Sequence, residues 1–375
     1  MNARQIFEKT IRHYLKPIMV YLNDPSVAEI MVNRYDEVYV EINGALELTT
    51  ARFTDPEMYE AAINNILQFT GQSFTSDKSL IDARLPDGSR VHVAKAPCTR
   101  HSTVMTIRKF SKKMLDMDYL VELGSLTEQA RDFLQTTIVA EQNMLVVGGT
   151  SSGKTSLLNA LSSYIPRGQR IVVIEDSAEL QLQQQHVVSM ETKAPDRYGR
   201  GGVPIRELFR SSLRLRPDRI IIGEVRGGEA LDMIQAMTSG HGGSMGTLHA
   251  NNPVDALNRL ETMAMMSEVE LPLLALRSQV ASAIDLVVQM SRHAGGRRLV
   301  TQITEIGPLG NDGRHTYEDI FVLNDEACNQ NGTDTFNLKW TGKKSALAGK
   351  LSPDHISNLP ESIVGIFETE QVETA

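Results

Sequence analysis

Gly148-Gly149-Thr150-Ser151-Ser152-Gly153-Lys154-Thr155 reads G-x-x-x-x-G-K-T, the spacing of a loop that wraps phosphate. Glycines let backbone N–H groups crowd around phosphate oxygens. A helix opening at the end of the loop adds the partial positive charge of its N-terminus. Lys154 is expected to reach the β- and γ-phosphates of a nucleotide and Thr155 to hold Mg²⁺, with Ser156 closing the set of nucleotide-binding residues.

Breaking a triphosphate also takes carboxylates, one near the metal and one to orient the attacking water. Arg219-Ile220-Ile221-Ile222-Gly223-Glu224 reads as a buried strand ending in an acid, which makes Glu224 the candidate for Mg²⁺, directly or through water. Ile171-Val172-Val173-Ile174-Glu175-Asp176 ends the same way, and Glu179 follows. One of these three acids can serve as general base, although Asp176 also reads as a helix N-cap. Gly240 to Asn251 holds four glycines with His241 and His249. Their spacing matches no zinc pattern and no cysteine is near, so both histidines read as hydrogen-bonding sensors of the γ-phosphate. Arg197, Arg200, Arg206, Arg210, Arg214, Arg216 and Arg219 face only Glu207 and Asp218 as acids in that stretch. They form either a solvated face or a subunit interface. Met263, Met265 and Met266 read as core filler.

The elements that must position these residues follow from hydrophobic periodicity. Residues 1–110 form a mixed α+β block. It opens with a helix over 4–22 that Pro17 kinks or divides, followed by strands over 29–32, 37–42 and 46–48 with an Asn43-Gly44 hairpin turn. A helix over 56–69 begins at Thr54-Asp55. Strands over 80–85, 90–94 and 103–107 follow, the first two joined by Pro86-Asp87-Gly88. Residues 111–124 read as a linker with a short helix. Residues 125–325 alternate strands and helices, the order of an α/β domain with a largely parallel sheet. Its strands are read at 144–147, 170–175, 186–191, 219–223, 284–289, 299–305 and 317–323, with helices from 156 and over 204–215 and 228–237. Residues 326–375 are rich in Gly, Asn, Lys and Ser, hold the single tryptophan Trp340, and read as an appended strand-and-helix tail.

Composition narrows the class. The chain has 375 residues, 41% hydrophobic, enough for two ordinary cores. A net charge of −8 gives no strong case for nucleic acid as a partner. Cys98 and Cys328 are too far apart in sequence to suggest a disulfide framework or a metal knuckle. No apolar run has the length of a membrane span, so a cytoplasmic protein is expected.

Taken in order, these motifs resemble the type II/type IV secretion ATPases, and within them the CpaF/TadA branch that serves tight-adherence pili. Gly148–Thr155 is similar to the Walker A motif, Ile174–Leu180 to the Asp box, Leu215–Arg226 to Walker B and Gly240–Asn251 to the His box. Upstream, Asp82–Arg90 and Thr106–Phe110 resemble the branch's N-terminal domain. The resemblance implies an α/β, RecA-like P-loop ATPase domain preceded by a smaller α+β N-terminal domain. It implies ATP with Mg²⁺, a homo-oligomer in the form of a hexameric ring, and inner-membrane platform proteins of a pilus or secretion system as partners. The implied location is cytoplasmic, peripheral at the inner face of the membrane. In catalysis it implies Glu179 as base, Glu224 acting through Mg²⁺ and water, His249 sensing phosphate, and Lys154, Arg90 and Arg108 on the phosphates, with Arg84 a further candidate. A conjugation or nucleic-acid transport motor of the same superfamily is the alternative. A GTPase is disfavoured because no Asn/Thr-Lys-x-Asp occurs, and an ABC ATPase because no Leu-Ser-Gly-Gly-Gln occurs.

Overall fold

The computed structural model describes residues 3–42, 44–74, 78–110, 115–195, 198–293, 296–324 and 337–368. Asn43, Arg197 and Cys328 lie outside the described residues, as do all of 325–336 and 369–375. The chain forms two compact units, Met1–Lys113 and Met114–Ala375.

The smaller unit is a six-stranded antiparallel sheet built from β1 (Val27–Arg34), β2 (Glu37–Ile42), β3 (Ala45–Leu48), β4 (Leu80–Arg84), β5 (Arg90–Ala94) and β6 (Val104–Arg108). The strand order is β3-β2-β1-β6-β5-β4. Strict alternation buries one face: Ile30 and Val32, Val38 and Val40, Val91 and Val93, Met105 and Ile107 all point into one core. Helix Pro56–Phe69 covers that face with Tyr59, Ala62, Ile63, Ile66 and Leu67. Asp55 caps it, its carboxylate accepting from the Met58 N–H at 2.7 Å, with Pro56 at the first helical position. Pro17 divides the N-terminal helix: Ala3–Tyr14 ends, a 3₁₀ turn covers Lys16–Ile18, and Met19–Asn23 resumes.

The larger unit is a nine-stranded sheet. Its strands are β7 (Met144–Gly148), β8 (Ile171–Glu175), β9 (Val187–Glu191), β10 (Arg219–Ile222), β11 (Met245–Leu248), β12 (Leu286–Arg292), β13 (Arg298–Leu309), β14 (His315–Asn324) and β15 (Asn337–Trp340). The order is β15-β14-β13-β12-β7-β11-β10-β8-β9. From β12 to β9 the neighbours run parallel, and the β12–β15 side is an antiparallel meander. β7, β8, β10 and β11 are buried along their whole length because both faces are covered, which explains the apolar runs of β7, β8 and β10. Met144 and Val146 enter one core with helix Lys154–Ser162, while Leu145 and Val147 enter the other with helices Glu229–Thr238 and Pro253–Met265.

Three sequence expectations change. The strands expected from sequence leave out 245–248, yet β11 lies in the middle of the sheet between β7 and β10. Met263 is core, but Met265 and Met266 are exposed. The tail is not simply appended: β15 joins the sheet edge, and Phe367 of helix Glu361–Phe367 stacks on Phe133 with ring centroids 5.4 Å apart. Leu347, Ile363 and Ile366 share that core.

Candidate functional site

The phosphate loop leaves the carboxyl end of β7, the middle strand of the nine, between parallel β12 and β11, and the carboxyl ends of parallel strands are where such sheets bind ligands. Its glycines have different reasons. A Cβ on Gly148 would sit 2.3 Å from the Met290 carbonyl oxygen, so β12 permits only glycine there. Gly153 takes φ 99° at the N-cap of helix Lys154–Ser162, beneath the methyl of Met290 and the stem of Arg298. Gly149 is exposed, with open space where its Cβ would be. Thr150 is exposed beside it, whereas Ser152 is buried with its hydroxyl donating to the Gly149 carbonyl at 2.9 Å. Thr155, at the first helical turn, is half-buried, and Ser156 is exposed. The result is an open cradle at a helix start, which fits a phosphate chain.

Lys154 is buried and folds back into the loop. Its Nζ donates to the carbonyls of Gly148 at 3.1 Å and Gly149 at 2.9 Å and lies 3.4 Å from His249 Nδ1. The other His249 nitrogen, Nε2, is 3.1 Å from Glu224. Arg226 continues the chain, with one guanidinium nitrogen 2.6 Å from Glu224 and another 3.3 Å from Asp176. Lys154, His249, Glu224, Arg226 and Asp176 thus form one polar chain across the ends of β7, β11, β10 and β8. Burial holds the Lys154 ammonium below its ordinary pKa, against the pull of Glu224 and Glu179. Burial and then Lys154 push His249 below 6.5, with Glu224 opposing. A neutral His249 with its proton on Nε2 donates to Glu224 and accepts from Lys154.

The three acids after β8 have separate roles. Glu175 is buried, and one of its oxygens accepts the N–H groups of Glu179 at 2.8 Å and Leu180 at 3.0 Å. It shapes the turn that carries Glu179. Asp176 caps no helix; Thr192 donates to its carboxylate at 2.9 Å and Arg226 binds its other oxygen. Glu179 is half-buried and acts electrostatically on both Lys154 and Arg226, which places it at the same site.

The two histidines part company. Because β11 runs parallel to β7, pairing Met245 with Met144 and Leu248 with Val147, His249 follows the strand at the phosphate-loop end while His241 precedes it at the opposite end. His241 is therefore not a phosphate sensor. Arg206 and Arg210 both bind Asp232, at 2.8 and 3.1 Å, and Arg219 is wholly buried. Arg200, Arg210, Arg214 and Arg216 remain exposed.

In the smaller unit Arg90 pairs with Arg108 on one side and Arg84 on the other, and Arg108 pairs with Glu29. Cross-strand partners point to one side of a sheet, so Arg84, Arg90 and Arg108 form a cationic row on the face away from the core. Arg108 lies 3.8 Å from Glu29.

Sequence reasoning missed Arg226 and Thr247. Arg226 stands two residues beyond Glu224, and that spacing in extended chain was the available signal. Thr247 donates its hydroxyl to the Gly223 carbonyl at 2.6 Å, tying β11 to the turn before Glu224. Its role depends on β11 being a strand.

Fold and site define a RecA-like P-loop domain preceded by a smaller α+β domain. The X-ray structure of the Legionella pneumophila ATPase DotB is similar at a TM-score of 0.56 and 17% identity, covering 82% of this chain and 80% of that one. The pilus retraction motor PilT with bound ADP is similar at 0.54 and 18%, covering 82% and 81%. The family model described as type II/IV secretion system protein matches residues 13–337, and the chain belongs to that family. Among curated relatives, a putative conjugal transfer protein of Mycobacterium tuberculosis is 30% identical over 288 residues, 75% of this chain and 81% of that protein. The type IV secretion system protein PtlH of Bordetella pertussis is 33% identical over 322 residues, 79% of this chain and 95% of PtlH.

Proposed function

We propose that this chain hydrolyses ATP and that the hydrolysis powers a membrane-anchored machine that assembles a type IV, Tad-like pilus or exports protein. The observation that carries the ATPase reading is the polar chain from Lys154 through His249 to Glu224 at the mouth of the phosphate cradle. The loop N–H groups and Lys154 take the phosphates. Thr155 and Glu224 fit Mg²⁺, the second directly or through water, and the ion would neutralise phosphate charge. Glu179 orients the attacking water, and His249 reports on the terminal phosphate through its bonds to Lys154 and Glu224. Arg90 and Arg108 supply charge of the kind that stabilises phosphoryl transfer, an effect of ~10³–10⁵ in rate for a well-placed arginine.

The working form is a homo-oligomeric ring, a hexamer as in the family resemblance, peripheral at the inner face of the cytoplasmic membrane and docked on platform proteins. Among the described residues no helix is long and apolar enough to cross a membrane. Phosphate release from Mg²⁺-ATP by the purified chain tests the reading. Lys154→Ala is expected to abolish it, and Glu179→Gln to bind ATP without turning it over. Turnover by Lys154→Ala at the native rate would end the ATPase proposal.

Conjugation is a second reading, favoured by the relatives described as conjugal transfer proteins. Salt-sensitive binding of single-stranded DNA with stimulated hydrolysis would select it.

A further inference from the structure

A phosphate loop works only while its N–H groups point inward, which turns its carbonyls outward. Ser151 takes φ 57°, a left-handed conformation that a non-glycine residue adopts only under constraint. The constraint comes from two directions. Inside the loop, the Ser152 hydroxyl holds the Gly149 carbonyl. Outside it, Arg298 of β13 donates its Nε to the Ser151 carbonyl at 3.1 Å, while its stem lies 3.2 Å from where a Gly153 Cβ would be. Among the described residues Arg298 has no carboxylate partner, although it is exposed. Among the described residues the one hydrogen bond of its side chain is to the loop.

We propose that Arg298 is a positioning residue, a clamp that reaches over from β13 and holds the phosphate loop in its phosphate-accepting form through the Ser151 carbonyl. The inference rests on the nucleotide reading above and deepens it. A planar guanidinium offers Nε in a fixed direction, which a lysine ammonium does not reproduce.

Three measurements on the full chain test this. The first is hydrogen exchange at the Ser152 and Gly153 amides without nucleotide. The second is ADP affinity by calorimetry, and the third is KM against kcat for ATP. Arg298→Ala is expected to speed exchange at those amides, to weaken ADP about tenfold, and to place most of its kinetic loss in KM. Arg298→Lys, which keeps charge and much of the stem over Gly153, is expected to behave the same way and serves alone if the alanine variant fails to fold. Native exchange and native ADP affinity in the variants overturn the clamp. Recovery of native affinity by lysine overturns it as well, because charge alone would then suffice. A native chain that binds no ADP overturns the nucleotide reading and this inference together; native binding with unchanged variants overturns only the clamp.

Discussion

At the scale of single residues, the site is a balance of charges set by burial. His249 has its pKa pushed down, so the folded chain binds fewer protons there than the unfolded chain. Its contribution to stability is therefore present above about pH 6.5 and is lost as pH falls through the lower folded value. His249→Gln is expected to flatten the decline in urea midpoint between pH 7 and pH 5; an unchanged slope would refute the assignment. Arg219 offers a second test. Its guanidinium is buried against Gly243, donates to Gln169 at 2.8 Å and to the Ile138 carbonyl at 3.1 Å, and lies 3.6 Å from Glu141. A Cβ on Gly243 would fall 1.2 Å from that guanidinium. Gly243→Ala is expected to destabilise the chain by about 3–5 kcal/mol, since the buried charge must leave its partners. Adding Arg219→Met should recover part of the loss. A single variant that unfolds at the native urea concentration would show that the packing is looser than described.

At the scale of elements, what was legible in sequence was what is local. Gly148–Thr155 announces itself because loop, lysine and helix start are contiguous, and β7, β8 and β10 because burial on both faces leaves an unbroken apolar run. β11 was hidden. Met245-Gly246-Thr247-Leu248 has little strand propensity, and only pairing with β7 and β10 makes it a strand. That one omission also misplaced His241, whose distance from His249 depends on the strand between them. The three acids after β8 were found, but their division of labour was not, because Glu175 owes its role to backbone N–H groups four and five residues on. A helix in the tail was expected, but what it packs on was not legible for a similar reason: its partner Phe133 is far away in sequence. Phe367→Ala is expected to cost about 3–5 kcal/mol, as for other buried aromatic truncations, measured by urea unfolding. A cost near zero would return that helix to the status of an appendage.

At the scale of the whole molecule, among the described residues the core of the smaller unit draws on none beyond 113, and the two cores of the larger unit draw on none before 114. Each unit therefore carries its own reason to fold. Residues 1–113 expressed alone are expected to unfold cooperatively by circular dichroism, and 114–375 alone to keep measurable ADP affinity, since the loop and every contact described for it lie within that unit. A non-cooperative melt from the first, or no ADP binding by the second, would contradict this independence.

The stacking of Phe367 on Phe133 sets an order on biosynthesis. The smaller unit can close while the ribosome is still adding the rest. The larger one stays open on one side until residues 361–367 emerge, long after the phosphate loop has been made. A chain cut short before residue 361 therefore leaves Phe133 without the ring that stacks on it, and the core of the larger unit incomplete.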